Sequence, residues 1–141
     1  MSSATPADVL ARRRHLTLTG DADGLADLFA PDAVIEFAFH GPPGTPVRLQ
    51  GREAIREYSR RSMASPLRLE DYEVAELYQA QDPEVVIAEV RAKATVTTTG
   101  RSLTATSIQV LRIRDGHIVL WRDFADPRVF DEVMGEQRPG S

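Results

Sequence analysis

Residues 108–127, IQVLRIRDGHIVLWRDFADP, decide the fold. They predict two strands joined by a tight turn, because Asp115-Gly116 supplies the positive φ that a two-residue type I′ hairpin requires. The strand period of two puts Ile108, Val110, Arg112 and Arg114 on one face of the first strand and Gln109, Leu111 and Ile113 on the other. On the second strand it groups Val119, Trp121, Asp123 and Ala125 against Ile118, Leu120, Arg122 and Phe124. A carboxylate thus lies between Trp121 and Ala125 on a face that otherwise reads as buried. Burying a charge is costly unless it is paired or its altered pKa is used. Asp123 is therefore the leading candidate for function.

Working back from the hairpin, the chain reads as β from Leu67 onward. Leu69–Tyr78 alternates moderately, Gln81-Asp82-Pro83 is a turn, and Val85–Thr98 is a long strand. Thr99-Gly100-Arg101 makes a second hairpin turn before Leu103–Arg114. The first half is different. Thr5-Pro6-Ala7-Asp8 is a helix start with N-cap Thr5, Pro6 in the first turn and Asp8 as its acidic partner. The helix runs to about Leu18 with the stripe Val9, Leu10 and Leu16, and the spacing puts Arg13 on that stripe. A short helix after Asp21 turns Leu25, Leu28 and Phe29 inward and is closed by Pro31. Ala33–His40 is a strand, GPPGTP at 41–46 a loop and Val47–Gln50 a short strand. Gly51 leads into a third helix with Ala54, Ile55 and Tyr58 on one side. Downstream of the hairpin, Pro127–Met134 reads as a closing helix and 135–141 as disordered.

Helices followed by a run of antiparallel strands define an α+β arrangement. Four long strands in a twisted meander, with amphipathic helices laid on the concave face, enclose a cavity. The 141 residues are expected to form a single domain. The 42% hydrophobic and 27% charged fractions are ordinary for a globular protein. A net charge of −4 gives no general pull toward nucleic acid or anionic membrane. With no cysteine, thiolate catalysis, thiolate metal sites and disulfides are excluded. No apolar run reaches membrane-span length and no signal peptide is evident, so a cytoplasmic location is expected.

Three phrases carry a resemblance: GDADGLADLFAPDAVIEF at 20–37, LQGREAIREY at 49–58 and RIRDGHIVLWRDFADP at 112–127. In this order they resemble the nuclear transport factor 2-like superfamily, and within it the SnoaL-like polyketide cyclase branch and the phenazine-biosynthesis proteins of the PhzA/PhzB type. The resemblance spans about Val9 to Val133. It implies a cone-shaped barrel of a strongly curved antiparallel sheet, with the N-terminal helices packed on its concave face. It also implies an apolar ligand at the wide mouth and a homodimer. In the cyclase and phenazine members a carboxylate on the last strand handles protons, and Asp123 falls at that place. The ketosteroid isomerases of the superfamily are a useful contrast. Phe37 stands where their general base would be, Arg13 where their oxyanion-hole Tyr would be, and Gln109 where their oxyanion-hole Asp would be. That activity is not expected, but the alignment implies that Arg13, Phe37, Gln109, Trp121 and Asp123 face one cavity.

The candidates each carry a plainer alternative. Asp123 reads as a general acid or base of raised pKa in preference to a structural ion pair or a cap on the Pro127 helix. Arg13 is its partner or an oxygen binder, or else its stem runs along the core with the head in water. Trp121, Phe37 and Phe39 are walls for a flat ring, or plain core. Gln109 orients a carbonyl or hydroxyl, or bonds nearby backbone. His15 and His40 approach the pocket mouth; His117 is solvated, and exposure is expected for Glu36 and Glu89. The arginines at 12–14 and 60–61 read as solvated helix faces. The three histidines are too scattered to form a metal set, and no cofactor motif is present. The expectation is a cofactor-independent enzyme that binds a planar, apolar polyketide or aromatic intermediate. It would catalyse aldol-type cyclisation, isomerisation or dehydration. A non-catalytic small-molecule-binding or accessory protein is the alternative, and epoxide hydrolysis ranks below both.

Overall fold

The computed structural model describes residues 4–129. Helix α1 (Pro6–Thr19) opens with the expected capping box. Asp8 N–H donates to the Thr5 hydroxyl at 3.2 Å, and Thr5 N–H donates to the Asp8 carboxylate at 3.1 Å. Val9, Leu10, Arg13 and Leu16 form its buried stripe. Helix α2 (Ala22–Asp27) starts where the Asp21 carboxylate accepts the Gly24 N–H at 2.8 Å. Then follow β1 (Phe29–Phe37), β2 (Val47–Gln50), α3 (Arg52–Ala64), β3 (Leu67–Gln79), β4 (Val85–Val96), β5 (Ser102–Arg114) and β6 (His117–Ala125). Residues 127–129 are helical; the rest of the expected closing helix, and the segment 135–141, lie outside the described residues.

Two element boundaries differ from expectation for one reason. Pro31 does not close α2 but sits inside β1, where the pairing register shifts between Phe29 and Val34. An irregular stretch needs no ladder donor at Pro31, so the residue is tolerated there. At its other end the strand stops at Phe37, not His40.

The six strands form one sheet in the order β2-β1-β6-β5-β4-β3. Strands β3 to β6 make the antiparallel meander that was expected. However, β1 runs parallel to β6, so the sheet is mixed. It curls without closing: α3 lies against β1 and β2 at one edge and still reaches β3 at the other. The helices cover its inner face. Phe29, Ile35, Ile55, Val86, Leu111 and Ile118 are all buried in the resulting core.

The 108–127 hairpin forms as read. Arg114 pairs with His117, and Asp115 and Gly116 adopt φ of 52° and 76°, the two left-handed residues of a type I′ turn. Near the turn a bulge makes Arg112 pair with Leu120 and Ile113 with Ile118, leaving Val119 as the extra residue. This turns Ile118 inward to full burial, opposite to the side that strict alternation assigns. Above the bulge the alternation holds. One inner row runs Ile35, Trp121, Leu111, Val86 across β1, β6, β5 and β4; the next runs Phe37, Asp123, Gln109, Ala88.

Candidate functional site

The sheet register places Asp123 on the inner face between Phe37 and Gln109. Helix α1 crosses above, and its apolar stripe delivers Arg13 onto the same spot, fully buried. Arg13 is held by a short chain of hydrogen bonds. Its Nη1 donates to Gln109 Oε1 at 2.7 Å, and Gln109 Nε2 donates to the Tyr72 hydroxyl at 2.9 Å. A guanidinium has only donors, so the carbonyl end of Gln109 must face it. The guanidinium carbon also lies 4.7 Å from the Trp121 ring centroid and 5.0 Å from that of Tyr72, within cation–π range. Trp121 in turn stacks on Phe29 at 6.1 Å. Arg13 is therefore fixed by three side chains before any ligand arrives.

Asp123 is left with less. Its Oδ1 is buried and has no hydrogen-bond partner. Burial pushes its carboxyl pKa up; the charges of Arg13 and His40 and the Ala125 N–H pull the other way without cancelling the rise. Desolvation lowers the Arg13 pKa, opposed by Tyr72 and Asp123, while a guanidinium stays cationic at any working pH. Tyr72 and Tyr58 are both pushed up, first by burial and further by the Asp123 charge in each case. Arg13 and Asp123 thus act on each other through space without sharing a hydrogen bond.

The buried polar side-chain atoms without a partner among the described residues are Arg13 Nε and Nη2, Trp121 Nε1, His40 Nδ1 and Asp123 Oδ1. All five belong to this one cluster. Native proteins pair nearly all such atoms, so an unpaired group calls for a specific explanation. Their concentration in one place makes this cluster the candidate site.

Phe37 is partly buried and closes one side, with its ring 5.4 Å from both His40 and Tyr58. Gln109 is buried, and both ends of its amide are engaged, by Arg13 and by Tyr72. Two expected site residues are elsewhere. Phe39 is 58% exposed and rests edge-on against Phe124, because β1 has ended and alternation no longer carries it inward. His15 is exposed on the solvent face of α1. Tyr72 and Tyr58 are site residues that the sequence reading missed. Strand β3 has register shifts at Leu69/Asp71 and Val74/Glu76, so no simple alternation points to Tyr72. Tyr58 was placed on the apolar side of α3, with nothing to show that this side ends beside Asp123.

A cleft of about 320 Å³ lies between Pro31, Arg52, Arg114 and His117, and another of about 270 Å³ between α1 and β3. Beyond Asp123 the inner positions include Ala125, Ser107, Ala105 and Ala92, which are small and partly exposed, beside the buried Val90. Among the described residues no three His, Asp or Glu are placed to hold a metal ion, and no helix is long and apolar enough to cross a membrane. Of the other carboxylates, Glu36 is partly buried between Arg48 and Arg122, each at 3.1 Å, and Glu89 is partly exposed.

A curled α+β sheet with helices on its concave face is the nuclear transport factor 2-like fold. The chain matches the model of the SnoaL-like domain over residues 12–121, and it belongs to that family. A PhzA/B-like protein of Pseudomonas aeruginosa is 37% identical over 128 residues, covering 91% of this chain and 89% of that protein. A Bacillus subtilis structure described as an isomerase superposes with a TM-score of 0.82 at 30% identity, covering 92% and 91% of the two chains. IdmH from Streptomyces antibioticus, described as a polyketide cyclase, gives 0.73 at 27% identity over 94% and 99%.

Proposed function

We propose that this protein catalyses proton transfer on a planar small molecule without a bound cofactor, with Asp123 as the proton-handling group. The observation that carries this reading is the gathering around Asp123 and Arg13 of the partnerless buried polar side-chain atoms found among the described residues. Ionised Asp123 would take a proton from the carbon beside a carbonyl. The electron pair moves into the carbonyl oxygen, and the neutral acid returns the proton at another atom while Arg13 holds the substrate in place. That sequence serves an aldol-type cyclisation, an isomerisation or a dehydration. A carboxyl group whose pKa is raised by burial is the stronger base for it. Trp121 and Phe37 would hold the ring, Gln109 and Tyr72 would hold Arg13, and Tyr58 lies near enough to feel the Asp123 charge. The likeness to a cyclase and to an isomerase-like structure supports this class of chemistry.

The test is a panel of planar β-carbonyl compounds assayed with wild type and Asp123→Asn. Loss of about 10²–10⁴ in turnover, with folding intact, is expected of a general acid–base group. Undiminished turnover in the variant removes the assignment. A second reading, a non-catalytic binding or accessory protein, is favoured by the tight packing of the cluster and by the clefts lying elsewhere. It predicts ligand binding indifferent to Asp123→Asn and no product after long incubation. A homodimer is part of the proposal. On the outer face Ile108 is 41% exposed, and Val110, Leu120 and Phe124 are partly exposed beside it, an apolar surface suited to a second copy.

A further inference from the structure

We infer that the Nε–Nη2 edge of Arg13 is a receptor for the carboxylate of a planar, monoanionic ligand, bound in the guanidinium plane beside Asp123. The inference rests on the reading of this cluster as a ligand site and names what that ligand must carry. A guanidinium can be approached from its faces, from its Nη tips or from the side where Nε–H and one Nη–H run parallel. In Arg13 the rings of Trp121 and Tyr72 lie against it at 4.7 and 5.0 Å, and Nη1 is bonded to Gln109 at 2.7 Å. What remains is Nε and Nη2, both buried and both without a partner. Two parallel N–H donors match two coplanar oxygens, which is the bidentate geometry of arginine with carboxylate.

Charge selects within that class. Arg13 is fully buried, and a buried cation without an ionised partner is costly. Asp123, the carboxyl whose charge acts on it, makes no hydrogen bond to it. An anionic ligand would neutralise Arg13 directly, as an amide or ketone would not. A phosphate dianion would bring a second charge into a place that has one cation, so a monoanion fits better. The aromatic neighbours Trp121 and Phe37, in adjacent inner rows of the sheet, then favour a flat ring attached to that carboxylate.

The test uses the intact wild-type chain and isothermal titration calorimetry with 2-naphthoate, 2-naphthamide and inorganic phosphate. Saturable binding of naphthoate, at least about tenfold tighter than naphthamide, is expected because charge-assisted bonds are the stronger ones. Arg13→Lys keeps a positive charge but removes the parallel donors, and should weaken naphthoate by about tenfold or more. Naphthoate and naphthamide binding alike would overturn the carboxylate receptor while leaving a ligand site in place. Tighter binding of phosphate would overturn the planar monoanion. No binding of any of the three would overturn the carboxylate receptor, while the turnover assay with β-carbonyl compounds decides the ligand-site reading separately.

Discussion

Replacing Gln109 with Leu, a side chain of similar size, tests whether the cluster is as dry and as tightly organised as the distances imply. The substitution removes the acceptor that Arg13 Nη1 reaches at 2.7 Å and the donor that serves the Tyr72 hydroxyl at 2.9 Å. Arg13 then has no hydrogen-bond partner on any of its nitrogens while remaining fully buried. A hydrogen bond to a charged group is worth about 1.5–3 kcal/mol, and a neutral one about 1 kcal/mol. Gln109→Leu should therefore destabilise the fold by about 2.5–4 kcal/mol, or about 10 °C in Tm for a chain of this length. Urea unfolding and a thermal melt read this directly. A second variant sharpens the argument. Taking Arg13 to Met in the same chain removes the stranded cation, and replacing both partners of a buried polar pair by apolar groups is often close to neutral. Arg13→Met/Gln109→Leu should thus recover much of the loss. A drop below about 1 kcal/mol for Gln109→Leu, or a double variant that is simply the sum of its parts, would refute the picture of Arg13 as a dry cation anchored by Gln109.

The other predictions concern titration, the turn and association. Arg114 and Arg112 hold the Glu84 carboxyl down to about 2, from an ordinary 4.5. Its contribution is complete above the ordinary value and lost as pH falls toward about 2. Acid unfolding of Glu84→Gln should show a shallower pH dependence across that window. Asp123 has the opposite sign. Its raised pKa means that stability falls as pH climbs from the unfolded-state value through the folded one, so Asp123→Asn should be at least as stable as wild type at pH 7 by thermal melt. A less stable variant would mean that the carboxylate is structural. Gly116 at φ 76° occupies the left-handed region, and Gly116→Ala should cost about 1–2 kcal/mol in urea unfolding. Light scattering at micromolar concentration should give twice the chain mass, falling to the chain mass in Ile108→Arg; a wild-type monomer would remove the dimer.

Much of this arrangement could be read from residue order, and the failures have physical causes. The Asp115-Gly116 turn and the alternation from Gln109 to Leu111 and from Trp121 to Asp123 placed four side chains correctly, because period two survives wherever a ladder is regular. Arg13 was found on the buried stripe of α1 because helical spacing is insensitive to what lies opposite. Ile118 and Tyr72 were misread or missed at bulges, where one extra residue reverses the face of everything beyond it. Phe39 was misplaced because strand alternation was extended past the point where β1 ends. The parallel pairing of β1 with β6 is a long-range contact that no local pattern reports. The hydrogen bond from Gln109 to Tyr72 depends on that kind of tertiary placement as well, so the chain that fixes Arg13 was invisible beforehand.

The central claim is that Asp123 is a partly buried carboxyl group, its Oδ1 fully enclosed, poised for proton transfer. Its titration by ¹³C NMR of the side-chain carboxyl, assigned by comparison with Asp123→Asn, tests this most directly and needs no substrate. The account predicts a midpoint clearly above the about 3.9 of an unperturbed aspartate. A midpoint at or below that value would show a solvated or ion-paired carboxylate and contradict the assignment.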